Sequence, residues 1–319
     1  MRILVTGGAG FIGSNFVKLL QKSHSEYESV IVLDNLTYAG NIANIQDFNK
    51  FKNFNFVKGN ILDKALVNDL VSKCDVIINF AAESHVDRSI DFPASFVSTN
   101  IQGVQILLDA AVLHGVQVFL QVSTDEVYGS IISGSWDESS PLKPNSPYSA
   151  SKASADLLAL AYHRTYGLDV RITRSSNNFG PHQFPEKIIP LFITNALLNK
   201  NLPLYGTGKN IRDWIYVEDN CAAIELVLLS GHAGEVYNIG GENELTNFEL
   251  TKQILLKTKT SSKIVYVDDR KGHDYRYSVN STKIKSELGF KLKSSFDQAM
   301  NETIEWYESN QSWWKDLNN

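Results

Sequence analysis

The chain has 319 residues, 43% of them hydrophobic and 20% charged, with a net charge of −5. That length builds one large domain or two moderate ones with a sizeable core, and without low-complexity tracts the chain does not read as disordered. The acidic balance excludes the broad basic face of a nucleic-acid binder but leaves room for a local cationic pocket.

In chain order, Ile3-Leu4-Val5-Thr6 is a short apolar run, followed by a helical pattern from Phe11 to Gln21. Further runs follow at Val30–Leu33, Phe54–Val57, Val76–Phe80 and Val118–Val122, with helical patterns at Ala65–Ser72 and Thr99–His114 between them. The runs are continuous rather than alternating, as strands buried on both faces of a parallel sheet require. The strand–helix rhythm predicts a doubly wound α/β sheet of Rossmann type. Prolines 181, 185, 190 and 203 break the second half, where helices are expected at Ile188–Leu198, Val217–Leu229, Asn247–Thr258 and Phe296–Glu308. A change of architecture near Gly180 divides the chain into residues 1–179 and a smaller mixed α/β domain at 180–319, with interleaving of segments allowed. The aromatic residues Trp306, Trp313 and Trp314 read as packing.

Two cysteines, Cys74 and Cys221, lack metal-ligand spacing and give no disulfide framework. No metal site is expected, and Cys74 reads as a small core residue. No leader pattern precedes the first strand, and no apolar run approaches the ~20 residues of a membrane span. The expected setting is cytoplasmic, without membrane or nucleic-acid partners.

The segment Thr6-Gly7-Gly8-Ala9-Gly10-Phe11-Ile12-Gly13 follows the first strand and opens the first helix. Its glycines at 7, 10 and 13 suit a tight turn, close backbone approach to a pyrophosphate, and helix–strand packing. The amides of the helix N-terminus then face the phosphates. Asp34, about 20 residues on, ends the second strand, where a carboxylate binds ribose hydroxyls and repels a 2′-phosphate. NAD is therefore expected over NADP. Asn60-Ile61 and the small pair Ala81-Ala82, at later strand ends, are further candidate contacts.

Tyr148 and Lys152 lie one helical turn apart and share a face. A phenol has a pKa of about 10, and a neighbouring ammonium with a cationic nicotinamide is expected to favour its phenolate. Alone, this spacing is common by chance; the glycine fingerprint gives it weight. Thr124-Asp125-Glu126 follows a strand at the sheet's carboxyl edge, where open α/β sheets bind ligands. There Asp125 and Glu126 suit an acid–base pair, and Thr124 suits the substrate oxygen handled by Tyr148.

These motifs, together with Asn79–Ser89, Ser123–Gly129, Ser176–Pro181, Gln183–Lys187, Arg212–Asp219 and Gly272–Asp274, resemble the extended short-chain dehydrogenase/reductases. More narrowly they resemble the nucleotide-sugar 4,6-dehydratase branch, over nearly the whole chain. The resemblance implies that hydride leaves C4 for NAD while Tyr148, aided by Lys152, takes the C4 hydroxyl proton. Glu126 then removes the C5 proton, Asp125 protonates the departing C6 hydroxyl, hydride returns to C6 and C5 is reprotonated. It implies NAD contacts at Gly7, Gly10, Phe11, Ile12, Gly13, Asp34, Asn35, Leu36, Thr37, Asn60, Ile61, Ala81, Ala82, Thr99, Tyr148, Lys152 and Asn178. The implied substrate is dTDP-glucose. Its contacts would be Ser84, His85, Thr124, Asn177, Lys187, Ile188, Pro203, Leu204, Tyr205, Arg212, Asn247, Arg270 and His273, the cations suiting the diphosphate. A homodimer is implied through helices near Thr99–His114 and Ser149–Tyr166. Asn60 stands where many members have Asp. Phe179, His182 and Tyr275 stand where Tyr, Tyr and Arg are expected. Two rivals stay open: a 4-epimerase or decarboxylase of the same family, which needs no acid–base pair at 125 and 126, and a non-catalytic NAD-binding sensor.

Overall fold

A computed structural model of the chain describes residues 1–22, 27–269, 272–315 and 317. Among the described residues twelve strands are formed: β1 (Arg2–Thr6), β2 (Ser29–Asp34), β3 (Phe54–Lys58), β4 (Val76–Asn79), β5 (Val118–Thr124), β6 (Val170–Ser175), β7 (Asn177–Phe179), β8 (Leu202–Tyr205), β9 (Ile211–Tyr216), β10 (Val236–Ile239), β11 (Glu244–Thr246) and β12 (Ile264–Val267). The large sheet has the order β10-β6-β5-β4-β1-β2-β3, and its pairings are parallel throughout.

Alternate residues of one strand feed two separate cores. Ile3, Val5, Val30, Val32, Ile78 and Leu120 pack on one face. Leu4, Ile31, Leu33, Ile77 and Phe119 pack on the other. Both faces are covered by helices, so the central strands are apolar at successive positions and their runs do not alternate. From β1 the chain runs outward to β2 and β3, then returns to place β4 on the opposite side of β1. That reversal opens a crevice at the strands' carboxyl ends, the place where such sheets bind ligands.

The helix foreseen at Thr99–His114 starts earlier, at Pro93. A proline at the first helical position loses no hydrogen bond. The run contains a π-helical turn at Ser98–Gly103 and ends on Gly115 in the left-handed conformation. This helix, Pro93–His114, is 22 residues long and apolar enough by length and composition to cross a membrane. That corrects the expectation that no such run exists; half of its window is buried inside the fold.

The second half builds a three-stranded sheet, β11-β9-β7, and a two-stranded sheet, β12-β8. Strands cross the expected division at 180 in both directions. β7 lies before it and pairs with β9, and β10 lies after it and completes the large sheet beside β6. Trp314 is fully buried in the main core, with Trp306 and Trp313 packed against it. Phe179, in the place of an expected Tyr, packs against Tyr216 and Phe296.

Candidate active site

Two clefts meet at the carboxyl edge of the large sheet. The first is lined by Gly7, Gly10, Phe11, Ile12, Gly13, Asp34, Asn35, Thr37, Asn60, Ile61, Ala81, Ala82, Thr99, Tyr148 and Lys152. Gly7 has a φ of +70°, and a Cβ there would stand 2.5 Å from the Ala81 nitrogen. A Cβ on Gly13 would stand 2.3 Å from the Gly7 carbonyl oxygen. Both positions therefore exclude any side chain, and the backbone they leave bare forms one end of the cleft below the helix Phe11–Lys22. Asp34 accepts the Ala9 amide at 2.9 Å and the Leu36 amide at 2.8 Å, which fixes its carboxylate at the cleft wall. Burial raises its pKa against these two bonds. Bare backbone at a helix N-terminus beside a fixed carboxylate is the donor set a dinucleotide needs.

Two cofactor expectations are placed elsewhere. Leu36 is absent from the lining: its amide is spent on Asp34 and its side chain packs against the main core. Asn178 lines the second cleft rather than the first.

The second cleft is lined by Ser84, His85, Thr124, Asp125, Glu126, Tyr148, Asn177, Lys187, Ile188, Pro203, Leu204, Tyr205, Arg212, Asn247 and His273. All the sugar-nucleotide candidates therefore meet in one place except Arg270, which lies outside the described residues. Several are already engaged. Lys187 Nζ donates to the Ser84 carbonyl at 3.0 Å. Arg212 donates to the Ile211 and Asp274 carbonyls at 2.7 and 2.9 Å and stacks over Tyr277 at 4.4 Å. His85 Nε2 lies 3.6 Å from Glu186 Oε2, and His273 Nδ1 lies 2.6 Å from Asp269 Oδ1. Tyr275 is 50% exposed and outside the lining, so the Arg expected there leaves no gap in the cleft wall.

Tyr148 lies on the wall shared by both clefts. It is the second residue of helix Pro147–Tyr166, whose start is fixed by a reciprocal Ser146–Ser149 capping box. Lys152, one turn on, is buried and donates to the Val122 carbonyl at 2.6 Å. Burial lowers its pKa to about 8, with Asp156 working the other way. The phenol of Tyr148 is pushed well above its ordinary value, by burial first and then by Glu126 and Asp125, while Thr124 opposes the shift. The Lys152 ammonium is turned to the Val122 carbonyl, so desolvation and two nearby carboxyls raise the phenol, and the cationic nicotinamide of the expected pairing would work against them.

Thr124 caps the turn Asp125–Tyr128, accepting from the Glu126 amide and donating to Asp125 Oδ1, both at 3.3 Å. Asp125 is only 2% exposed. Its pKa is raised well above the carboxylate range by burial, then by Glu126 and Asp213. Its Oδ2 is buried without a hydrogen-bond partner among the described residues. A carboxyl so placed is biased towards its protonated form, beside a half-buried Glu126. The two neighbouring acids thus sit in unlike surroundings, the kind of difference that separates an acid role from a base role.

Residues not singled out by sequence also line the site. Gln183 and Glu186 lie on both cleft walls and Tyr277 on the second. The run Gln183–Lys187 carried the resemblance, and only Lys187 was drawn from it. Asp156 lies one helical turn beyond Lys152, a spacing visible in sequence. It accepts from Ser123 Oγ at 3.0 Å and from Arg174 Nε at 2.9 Å beneath the catalytic strand end.

A family model described as "GDP-mannose 4,6 dehydratase" matches residues 4–303. A dTDP-glucose 4,6-dehydratase of Streptomyces niveus is 54% identical over 321 residues, covering 99% of this chain and 96% of that protein. The crystal structure of DesIV, a dTDP-glucose 4,6-dehydratase from Streptomyces venezuelae with NAD and TYD bound, superposes with a TM-score of 0.97 at 55% identity, covering 99% of this chain and 100% of that one. A UDP-glucose 4-epimerase from Thermotoga maritima with UDP-glucose has a TM-score of 0.91 at 31% identity, covering 98% of this chain and 100% of that one. The chain belongs to the GDP-mannose 4,6 dehydratase family.

Proposed function

We propose that the chain is an NAD-dependent dTDP-glucose 4,6-dehydratase, a lyase that converts its substrate to dTDP-4-keto-6-deoxyglucose and water. The observation that carries this reading is the buried Asp125, its pKa raised, beside the half-buried Glu126 and Tyr148 on the wall of the second cleft. Identities of 54% and 55% to dTDP-glucose 4,6-dehydratases over nearly full length support it. A 4-epimerase has no use for an acid–base pair at these positions, and a sensor has no use for the full constellation.

The glycine-lined cleft would hold NAD, which would supply the hydride acceptor for C4 and the donor for C6, with no net redox change. Tyr148 takes the C4 hydroxyl proton, and Thr124 orients that oxygen. Once C4 is a ketone, the C5 proton becomes acidic and Glu126 removes it. Asp125 gives its proton to the C6 hydroxyl, which leaves as water, and C5 is reprotonated as hydride returns to C6. On this reading residues 1–179 carry the dinucleotide and most of the chemistry, and residues 180–319 supply most of the sugar-nucleotide wall.

Incubation of the purified protein with dTDP-glucose is expected to yield the 4-keto-6-deoxy product, read by alkaline absorbance or NMR. Turnover of a different nucleotide hexose with none of dTDP-glucose would overturn the nucleotide assignment.

Lys152 predicts opposite pH trends for rate and stability. Its cation supports ionisation of Tyr148, so kcat/KM is expected to fall as pH rises through about 8. Its folded pKa lies below the ordinary 10.5, so burying the charge destabilises the fold at lower pH. That cost is relieved between about 8 and 10.5, and stability from this group rises across the window. A rate profile flat through pH 9 would refute the role.

A homodimer is proposed across the helices at Thr99–His114 and Ser149–Tyr166, supported by exposed Leu113, Leu157 and Tyr166. Sedimentation equilibrium at one chain mass would refute it.

A further inference from the structure

The aromatic segment near residue 310 takes no part in the chemistry, yet its hydrogen bonds lead to the cofactor cleft. Trp306 and Trp313 meet edge to face with centroids 5.0 Å apart. Tyr307 donates its hydroxyl to the Gln183 carbonyl, and Trp314 Nε1 donates to the Tyr307 carbonyl at 2.8 Å. Trp313 Nε1 reaches further, donating to Asn44 Oδ1 at 2.8 Å. Asn44 is 5% exposed, and its Nδ2 donates to the Ala9 carbonyl at 2.9 Å. Ala9 lies within the glycine segment between Gly7 and Gly10. Its carbonyl also accepts the Asn41 amide at 3.1 Å, and its own amide donates to Asp34 Oδ2 at 2.9 Å.

The polarity of this chain of bonds is fixed. An indole N–H is a donor only, and a carbonyl is an acceptor only. Asn44 must therefore present Oδ1 to Trp313 and Nδ2 to Ala9, and a flipped amide would oppose donor to donor and acceptor to acceptor. We propose that Trp313 is a positioning residue for the cofactor cleft, orienting Asn44 so that helix Gln311–Lys315 secures the Ala9 loop and, through it, Asp34. The inference rests on the reading of the glycine-lined cleft as the NAD site. Its consequence is tighter retention of the cofactor, which a reaction with two hydride steps on one molecule requires.

Trp313→Phe keeps a ring in place and deletes only the donor. The experiment follows release of NAD from the loaded protein, trapped by an NAD-consuming coupling enzyme, beside kcat at saturating NAD and the thermal midpoint. Removing one buried hydrogen bond is expected to speed release about three- to tenfold, with kcat within about twofold of wild type. In an Asn44→Ala background the same substitution is expected to add nothing, because the two residues act in series. Asn44→Asp keeps the acceptor for the indole but loses the donor to Ala9, so it is expected to speed release as well. It reads the same link should Trp313→Phe not fold. Release from Trp313→Phe at the wild-type rate, or an equal acceleration in the Asn44→Ala background, would overturn the latch while leaving the NAD site intact. A wild-type protein that held no NAD would overturn both.

Discussion

Glu126→Gln is expected to halt the reaction at the oxidised sugar, lowering 4-keto-6-deoxy product by about 10²- to 10⁴-fold, the usual worth of a positioned general base. Glutamine keeps the size of Glu126 at the capped turn but replaces one acceptor oxygen by an NH2 donor and cannot take the C5 proton. Oxidation at C4 should survive. The Glu126 charge is one of the causes that push the Tyr148 phenol upward, so removing it makes that phenol easier to ionise. Two measurements check this: the mass of the sugar nucleotide after a quenched single turnover, and exchange of the C5 hydrogen in deuterium oxide. The quenched product should be the 4-keto sugar that still carries its C6 hydroxyl, with C5 unexchanged. Undiminished C5 exchange would remove Glu126 from the base role.

Asp125→Asn should separate water loss from proton abstraction. Burial, then Glu126 and Asp213, raise the Asp125 pKa, so asparagine keeps the shape and the charge state that the site favours. Binding and KM are expected to move little, while kcat for water loss falls by about 10²- to 10⁴-fold for want of an acid. Exchange at C5 should persist, because Glu126 and the C4 ketone remain. A large change in KM would mean that Asp125 acts as an anion in binding. Loss of C5 exchange together with water loss would mean that the two carboxyls share one role.

Much of the fold was legible in the sequence because its constraints are local. Ile3, Leu4 and Val5 send side chains alternately into two cores, so the run had to be apolar throughout. Gly7 and Gly13 could be read because backbone atoms stand where a side chain would be. Distant pairings could not be read that way. β10 is four residues of mixed character, and nothing in Val-Tyr-Asn-Ile says that it lies beside β6. The early start at Pro93 and the π-turn after it escaped a reading tuned to the 3.6-residue period.

In the site, spacing placed Tyr148 and Lys152 together but not their electrostatics. Those depend on which carbonyl the ammonium meets and on how deeply both groups are buried. The positions of Lys187 and Arg212 were foreseen, but not the backbone carbonyls to which each donates. Tyr277 and Glu186 owe their places to packing between segments distant in sequence, for which no short motif exists.

The exchange of β7 and β10 across residue 180 bears on how such a chain can diversify. A recombination event joining one relative's first 180 residues to another's remainder would leave β6 without its own neighbour and β9 without its own β7. Both halves would then inherit seams matched to other partners. New sugar or nucleotide preferences are reached more readily by point changes at residues that wall the second cleft, such as Pro203, Leu204, Tyr205, Val267, His273 and Tyr277, than by trading halves.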